Sequence, residues 1–254
     1  RVIVHIHGSD FEVLFYHKIL GRLLTNILSN RVIVIATNSK AKIDLERLGC
    51  QRVHRIENFF PSKYLNLDTQ IRVPNTFYWN SNILATKGIF EFLDAFVEYS
   101  NKSGATLCIA GEIMECMIMT KNDTRLKLES YLCHPNITYM GSISRSATLQ
   151  QLIKSEVCVL TSLSESQPLA LIDGMCAGCR IICSDLPELR EMTNEYPAVY
   201  YTAVTPSSIL EALSCSHVSV GFDPCAASKI AQQRFSENLF NSRLRNIFLE
   251  KEVC

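Results

Sequence analysis

An α/β fold with parallel sheets is predicted by three features of this 254-residue chain. Runs typical of buried strands alternate with helical stretches of about 10–15 residues almost throughout, which is the pattern of βαβ units. An apolar content of 47% is enough for a sizeable core. A polar break near residues 68–74 separates the strands into two series, which indicates two domains.

The elements can be placed along the chain from this alternation. The first series has predicted strands at residues 2–7, 31–36 and 53–57 and predicted helices at about 13–28 and 40–48. The second has strands at 76–79, 106–110, 137–140, 157–160 and 180–183, helices at 88–99, 125–132, 146–154 and 206–213, a helix within 166–178, and a final helix over about 224–249. We therefore divide the chain into residues 1–72, 73–235 and 236–254, the last being a terminal helix that can cross back to the first domain.

The beginning of the chain predicts a truncated first domain. The first residue is Arg1, which leads directly into a strand. Three strands are about half of a nucleotide-binding α/β domain. We expect an N-terminally truncated fragment in which residues 1–72 form the C-terminal part of the first domain.

Charge and hydropathy exclude several classes of protein. The formal net charge is zero and no long basic block occurs, so nucleic-acid binding through a basic surface is not expected. No apolar run reaches the roughly 18 residues of a membrane span, and no signal peptide opens the sequence. We expect a cytoplasmic protein.

The cysteines are predicted to be structural thiols. Their number, eleven, is odd, and they are scattered through apolar strands and helices. The C-x-x-C pair, Cys176 and Cys179, falls at a predicted helix C-terminus, whereas redox pairs favour a helix N-terminus. No cysteine and histidine spacing typical of zinc sites is present.

The segment from Ser162 to Glu191 carries the densest functional signals. Glu165 lies in a loop, and Ser166 and Pro168 are signals for the start of a helix. Asp173 follows Glu165 by eight residues, a little over two helical turns, so both acids can face one ligand. The free N–H groups of the helix start suit a diphosphate. These features indicate a nucleotide-sugar site, although an amphipathic surface helix with solvated acids explains the spacing equally well.

Several short motifs follow one another in a specific order between Gly88 and Glu191: K-G, I-A-G, M-G-S-I-S, S-x-x-E-S-x-P-L-A-L-I-D, A-G and S-D-x-P. In this order they resemble the C-terminal domain of the retaining glycosyltransferases of family 4, the "group 1" enzymes. The resemblance implies the GT-B architecture of two Rossmann-like domains. HIHGSD, VIVIATNSKAKIDL and RIENF resemble the end of the family's acceptor-side domain. HGSDF is most similar to bacterial enzymes that assemble O-antigen, capsule or exopolysaccharide.

The resemblance implies roles for two acids and one cation. Glu165 and Asp173 occupy the acids of the family's E-x7-E motif, which bind the donor sugar and the nucleotide ribose respectively. Asp173 departs from the usual Glu and is one methylene shorter. Lys87 matches the Lys of G-R-x-x-x-x-K-G, which neutralises the leaving diphosphate. Here Ser81-Asn82 replaces Gly-Arg, so one charge is absent and Asn82 supplies only a hydrogen bond.

Further site residues are implied on both domains. His7 matches the histidine that reaches the donor sugar from the first domain, and Gly8 permits close approach of the backbone. A strand-end histidine is equally a structural group. Asn58 aligns with a turn at the domain junction and is either a cleft residue or a plain turn residue. The other implied donor contacts are Gly111, the backbone around Met140, and the helix start at Ser166, Gln167, Pro168 and Leu169.

The implied reaction is sugar transfer from a nucleoside-diphosphate sugar to a glycan or lipid-linked acceptor, with retention of configuration at the anomeric carbon. His7, Glu165 and Lys87 are the implied catalytic residues. The family needs no bound metal or other cofactor, and its members often contact the cytoplasmic face of the inner membrane peripherally. We expect no nucleic-acid partner.

Two alternatives remain open from the sequence. Asn82, Asp173 and the incomplete first domain are also expected of a catalytically impaired protein that binds nucleotide sugars without turnover. A dehydrogenase requires G-x-G-x-x-G after a strand, and the sequence lacks this motif.

Overall fold

A computed structural model describes residues 2–6, 32–65, 72–216 and 221–249. These residues form two parallel sheets with helices, so the predicted α/β class with two Rossmann-like domains is confirmed. The predicted helix at 13–28 lies outside the described residues. None of the described helices is long and apolar enough to cross a membrane.

The first sheet has three parallel strands in the order β1-β2-β3. They are β1 Val2–His5, β2 Val32–Ala36 and β3 Val53–Arg55. Every residue of β2 is buried, as expected for the central strand. Helix α1, Ser39–Arg47, connects β2 to β3, and Asn38 caps its N-terminus because its Oδ1 accepts from the Ala41 N–H at 2.7 Å.

The second sheet has six parallel strands in the order β6-β5-β4-β7-β8-β9. The strands are β4 Val73–Asn80, β5 Thr106–Ala110, β6 Ile137–Tyr139, β7 Ser155–Leu160, β8 Arg180–Ser184 and β9 Val199–Thr202. Counted from β4, this is the 3-2-1-4-5-6 order of dinucleotide-binding sheets, in which the strand order reverses between β4 and β7.

Helices cover both faces of this sheet. They are α2 Ile89–Ser103, α3 Lys121–Leu132, α4 Arg145–Lys154, α5 Leu169–Cys176, α6 Pro187–Thr193, α7 Pro206–Cys215 and α8 Pro224–Arg234. Because side chains alternate along a strand, Phe77 and Trp79 of β4 enter the core on one face and Tyr78 enters the core on the other. Both faces of the sheet are therefore covered by packed apolar side chains, and ligands can reach the sheet only at the strand ends and loops.

The C-terminal region differs from the prediction of one helix over 224–249. Helix α8 ends at Arg234, and a separate helix α9 spans Glu237–Leu249. The carbonyl of Phe235 accepts from the Phe60 N–H at 2.7 Å, and Phe60 and Ser236 form a parallel bridge. This pairing with the domain junction takes the chain out of helical register.

Helix α9 packs on the first sheet. Ile247 lies in a cluster with Ile33, Ile35 and Ile56, and Phe240 and Leu244 pack against it. The chain therefore returns from the second sheet to the first at Phe235–Ser236. Two further elements, α6 and β9, were absent from the prediction, because Pro187 and the tyrosine-rich run after it are weak signals in isolation.

Candidate functional site

The strand order positions the candidate site at the carboxyl ends of β4 and β7. In doubly wound sheets a crevice opens where the connections that leave two neighbouring strands run to opposite faces of the sheet, and ligands bind there. The segment after β4 contains Lys87, and the loop after β7 contains Glu165. The topology therefore brings together two residues that are 78 positions apart in the chain.

The turn that carries Lys87 is fixed against the loop after β7. Gly88 has φ +67°, and a Cβ there would lie 2.1 Å from the carbonyl oxygen of Thr161, so glycine is required. The Thr161 hydroxyl donates to the Gly88 carbonyl at 3.0 Å, and the Leu163 N–H donates to the Thr86 carbonyl at 3.0 Å. Lys87 is thus held beside the loop by backbone contacts on both sides of it.

Lys87 and Glu165 form an ion pair in the crevice. The Lys87 Nζ lies 2.7 Å from Glu165 Oε1, and the same oxygen accepts from the buried Ser162 hydroxyl at 2.6 Å. The Lys87 side chain is 25% exposed and that of Glu165 is 10% exposed, so solvent reaches the cation more than the acid. This geometry leaves an ammonium with free N–H donors at the crevice, anchored by a carboxylate that is itself held in place.

Helix α5 begins directly after this pair, with Pro168 at its N-cap. With respect to other described residues, the N–H groups of Ser166, Gln167, Leu169 and Ala170 make no hydrogen bonds. Unbonded N–H groups and the positive end of the helix dipole attract anions. The Lys87 ammonium, whose charge Glu165 partly balances, and this helix start therefore both offer N–H donors to an anion at this end of the sheet.

The first domain holds the loop that leads into α5. Ser166 Oγ lies 2.8 Å from Thr37 Oγ1, and Asn38 Nδ2 donates to the Ser166 carbonyl at 3.2 Å and to its hydroxyl at 3.0 Å. Asn58 Nδ2 donates to the Gln167 carbonyl at 3.0 Å, and the Asn58 N–H donates to Gln167 Oε1. Asn58 is therefore at the domain contact.

A second contact between the domains lies beside this loop. The Glu191 carboxylate accepts from the Ser39 hydroxyl at 2.7 Å and from the Ser39 N–H at 3.1 Å, and pairs with Arg55 at 2.8 Å. Glu57, 7% exposed, pairs with Arg234 at 2.8 Å. These bonds join the start of α1, the end of β3 and the segment after it to helices α6 and α8.

Asn82, Gly111 and Met140 lie at the ends of β4, β5 and β6, on the same edge of the sheet. A Cβ on Gly111 would lie 1.9 Å from the Ser81 carbonyl oxygen, so the two loops are in close contact. The Gly111 N–H donates to the Gly141 carbonyl at 2.9 Å, and the Tyr139 hydroxyl donates to the Gly111 carbonyl at 2.8 Å. Asn82 is exposed and Met140 is 37% exposed, so both border open space at this edge.

Asp173 forms an ion pair of its own, with Arg145. Its side chain is only 5% exposed, and Arg145 binds it in a bidentate manner, with Nε 3.0 Å from Oδ2 and Nη2 2.5 Å from Oδ1. Burial raises the pKa of the Asp173 carboxyl, and the Arg145 guanidinium acts in the opposite direction. Each carboxylate oxygen therefore accepts one hydrogen bond from Arg145 and keeps a further lone pair, and the ribose-binding role implied by the resemblance stays a prediction.

His7 and Gly8 lie outside the described residues. The strand that precedes them, β1, is adjacent to β2, and the chain after β2 supplies Thr37 and Asn38. In the part of the chain that the structure describes, no three His, Cys, Asp or Glu side chains cluster as a metal site requires. The expectation that no metal takes part stays a prediction.

Comparison with known proteins identifies the family. Residues 73–200, just over half of the chain, match the family described as glycosyl transferases group 1. The chain belongs to the group 1 glycosyltransferases. No curated protein matches it in sequence.

Solved glycosyltransferase structures share its fold at low identity. HepE of Anabaena, in complex with UDP and glucose, is 14% identical, with a TM-score of 0.77 over 98% of this chain and 71% of that chain. Sucrose-phosphate synthase of Thermosynechococcus elongatus is 15% identical, with a TM-score of 0.74 over 98% and 67%. A TarM mutant of S. aureus, in complex with fondaparinux, alpha-GlcNAc-glycerol and UDP, is 15% identical, with a TM-score of 0.72 over 97% and 50%. The GT-B architecture implied by the motifs is confirmed.

This glycosyltransferase also uses polar residues that the sequence did not single out. Thr37 and Asn38 hold the Ser166 loop, and Arg145 pairs with Asp173. The sequence indicates Asn38 only as a helix cap, so its second contact, with Ser166 of the other domain, could not be predicted. Arg145 had no usable signal, because a lone arginine at a helix start is equally a solvated residue.

Proposed function

We propose that this glycosyltransferase belongs to the retaining enzymes of family 4 and transfers a sugar from a nucleoside-diphosphate donor to a glycan or lipid-linked acceptor. The observation that carries the proposal is the Lys87–Glu165 pair at the β4–β7 crevice, next to the start of α5. An ammonium and free N–H groups suit a leaving diphosphate, and a fixed carboxylate suits sugar hydroxyls.

In the proposed reaction the protein positions the reactants and stabilises charge. The bond between the anomeric carbon and the phosphate oxygen breaks, and a bond from the acceptor oxygen to the same face of that carbon forms. The acceptor proton passes to the leaving phosphate oxygen. Lys87 and the N–H groups of Gln167 and Leu169 stabilise the charge on the phosphate, while Glu165 and His7 orient the sugar.

The remaining donor contacts follow from the loops at the strand ends. Gly111 and the backbone at Met140 border the side of the crevice away from Glu165 and are proposed to receive the nucleoside, with Asn82 hydrogen-bonding to the diphosphate. Ser166, Gln167, Pro168 and Leu169 form the loop and helix start proposed to face the diphosphate, and Asn58 holds this loop from the first domain. UDP complexes of HepE and TarM make uridine nucleotides the first donors to test.

The biological setting is proposed to be the assembly of bacterial cell-surface polysaccharide, including lipopolysaccharide, on the cytoplasmic side of the inner membrane, with peripheral contact of the protein. The support is the similarity of HGSDF and the crevice motifs to enzymes of that kind. Incubation with lipid-linked acceptors from such pathways, beside soluble glycans, tests this part separately.

The reaction is tested by incubating the protein with UDP- and GDP-sugars and following nucleotide release, with NMR assignment of the anomeric configuration of the product. We expect release from one donor class and a product with the configuration of the donor. Glu165→Gln, which keeps the shape of the side chain, should bind the donor and lose most of the turnover. A product of inverted configuration would contradict the retaining assignment.

A protein that binds nucleotide sugars without turnover is the second candidate. One observation favours it, since Arg145 binds both oxygens of Asp173 and competes with ribose hydroxyls at the second acid position. Donor binding without hydrolysis or transfer, with a set of acceptors that covers both lipid-linked and soluble glycans, would support this candidate over the enzyme.

A further inference from the structure

The contacts between the first domain and the Ser166–Gln167 loop have a direct chemical consequence for an anion at the crevice. Two consecutive carbonyl groups of this loop accept amide N–H groups from the first domain, Ser166 from Asn38 and Gln167 from Asn58. A carbonyl oxygen that faces a diphosphate repels it, so the direction of these two carbonyls affects anion affinity.

The peptide unit between Ser166 and Gln167 is trans, as are all peptide bonds of the described residues. In a planar trans peptide the C=O and the N–H point in opposite directions. Because Asn38 holds the Ser166 carbonyl, the Gln167 N–H is directed away from Asn38. This N–H makes no hydrogen bond to another described residue and is free to bind an anion.

The next peptide unit, between Gln167 and Pro168, has no N–H group. Its carbonyl is held by Asn58 Nδ2, and the Gln167 side chain is held by the Asn58 N–H and lies 3.5 Å from Glu57. Gln167 is only 7% exposed, so the residue before the helix start is fixed on both its backbone and its side chain. The orientation of the Gln167 N–H, directly before α5, is therefore fixed by contacts with the first domain.

We propose that Asn38 and Asn58 are positioning residues that make the affinity for the diphosphate part of the donor depend on contact between the two domains. The inference rests on the proposed function, because it requires a nucleoside diphosphate at the α5 start. Coupling is reciprocal in equilibrium binding, so a bound diphosphate stabilises the domain contact to the same degree.

The neutral variants Asn38→Ser and Asn58→Ser test this role. Serine caps a helix about as well as asparagine, so Asn38→Ser keeps the start of α1, but it is too short to reach Ser166. Neither variant introduces a charge that would itself repel phosphate. Ser39→Ala is the matched control, because it removes one hydroxyl bond to Glu191 without touching the loop, while the Ser39 N–H and Arg55 still bind Glu191 and keep the domains in contact.

The readout is the dissociation constant of UDP compared with that of uridine, or of GDP compared with guanosine if the wild type binds GDP, by calorimetry or ligand-observed NMR. We expect each asparagine variant to weaken diphosphate binding by about tenfold, the value of one or two hydrogen bonds near a charge, and to leave nucleoside binding unchanged. Ser39→Ala should bind both as the wild type does.

Three results would overturn the inference. Diphosphate affinity within twofold of the wild type in both asparagine variants would show that the loop is ordered without the two asparagine side chains. An equal loss of affinity for nucleoside and for diphosphate would show a general structural effect. An equal loss in Ser39→Ala would show that domain contact matters without the loop. If the wild type binds neither UDP nor GDP, the proposed function itself fails, which is a distinct outcome.

Discussion

Replacement of Arg145 by methionine is expected to be among the most destabilising single changes in the second domain. Arg145 is the counter-ion of Asp173, whose side chain is only 5% exposed. Methionine fills much of the same space without charge, so Asp173 keeps its burial and loses its partner. Breaking a buried pair by removal of one member costs about 3–5 kcal/mol. Because Arg145 itself is 30% exposed and water can enter beside it, we expect the lower end, about 3 kcal/mol.

The pH dependence of this loss follows from the pKa of Asp173. Burial raises this pKa in the folded protein, and loss of Arg145 removes the group that lowers it. A carboxyl whose folded-state pKa exceeds its unfolded value favours the folded state when protonated, and this contribution is lost as the pH rises through the folded-state pKa. The free-energy deficit of Arg145→Met should therefore be largest at neutral pH and shrink as the pH falls toward the raised pKa of Asp173.

Urea unfolding followed by tryptophan fluorescence measures this deficit. Trp79 is the single tryptophan of the chain and is fully buried in the second sheet, so it reports that domain. The double variant Arg145→Met/Asp173→Leu should recover most of the lost stability, because an apolar pair can replace a buried ion pair. A loss below about 1 kcal/mol, or a deficit that does not change with pH, would show that the Asp173 carboxylate does not need Arg145 as its counter-ion.

Three other predictions concern the crevice and the thiols. Lys87→Ala should lower the turnover of a donor by about 10²–10³-fold with a smaller effect on protein stability, as measured by initial rates and thermal melting; an unchanged rate would exclude Lys87 from the reaction. Gly88→Ala should lower the melting temperature and the rate together, because its Cβ collides with backbone; wild-type values would contradict the close contact. Among the described cysteines, Cys133 and Cys215 are exposed and should react first with a thiol reagent near pH 8. Burial raises the pKa of Cys183 to about 12, so its labelling should be delayed until the protein unfolds. Early labelling of Cys183, detected by mass spectrometry, would contradict its burial.

Strand and helix positions were predictable where apolar residues decide the pattern. The predicted strand at 106–110 matches β5, and the helix start near Pro168 lies one residue from Leu169. The break between α8 and α9 was not predictable, because it depends on a hydrogen bond from Phe60, which is 175 residues away from Phe235. Helix propensity depends on neighbouring residues and cannot indicate such a distant contact.

In the site, too, residues that belong to local motifs were predictable, and contacts between distant segments were not. Lys87 and Glu165 were found through spacing and motif order, and the sheet topology places them 2.7 Å apart. The pairing of Asp173 with Arg145 was not predicted, because the two residues lie on different helices and nothing in either local sequence indicates the partner. The contacts of Thr37 and Asn38 with Ser166 depend on how two domains meet, which no local pattern encodes.

A crystal structure of the protein with bound UDP or GDP would show whether the diphosphate binds beside Lys87 and the start of α5. We expect diphosphate oxygens within about 3 Å of Lys87 Nζ and of the N–H groups at Gln167 and Leu169, at the crevice between β4 and β7. A nucleotide bound elsewhere on the molecule, with the Lys87–Glu165 pair and the start of α5 left untouched, would contradict this expectation.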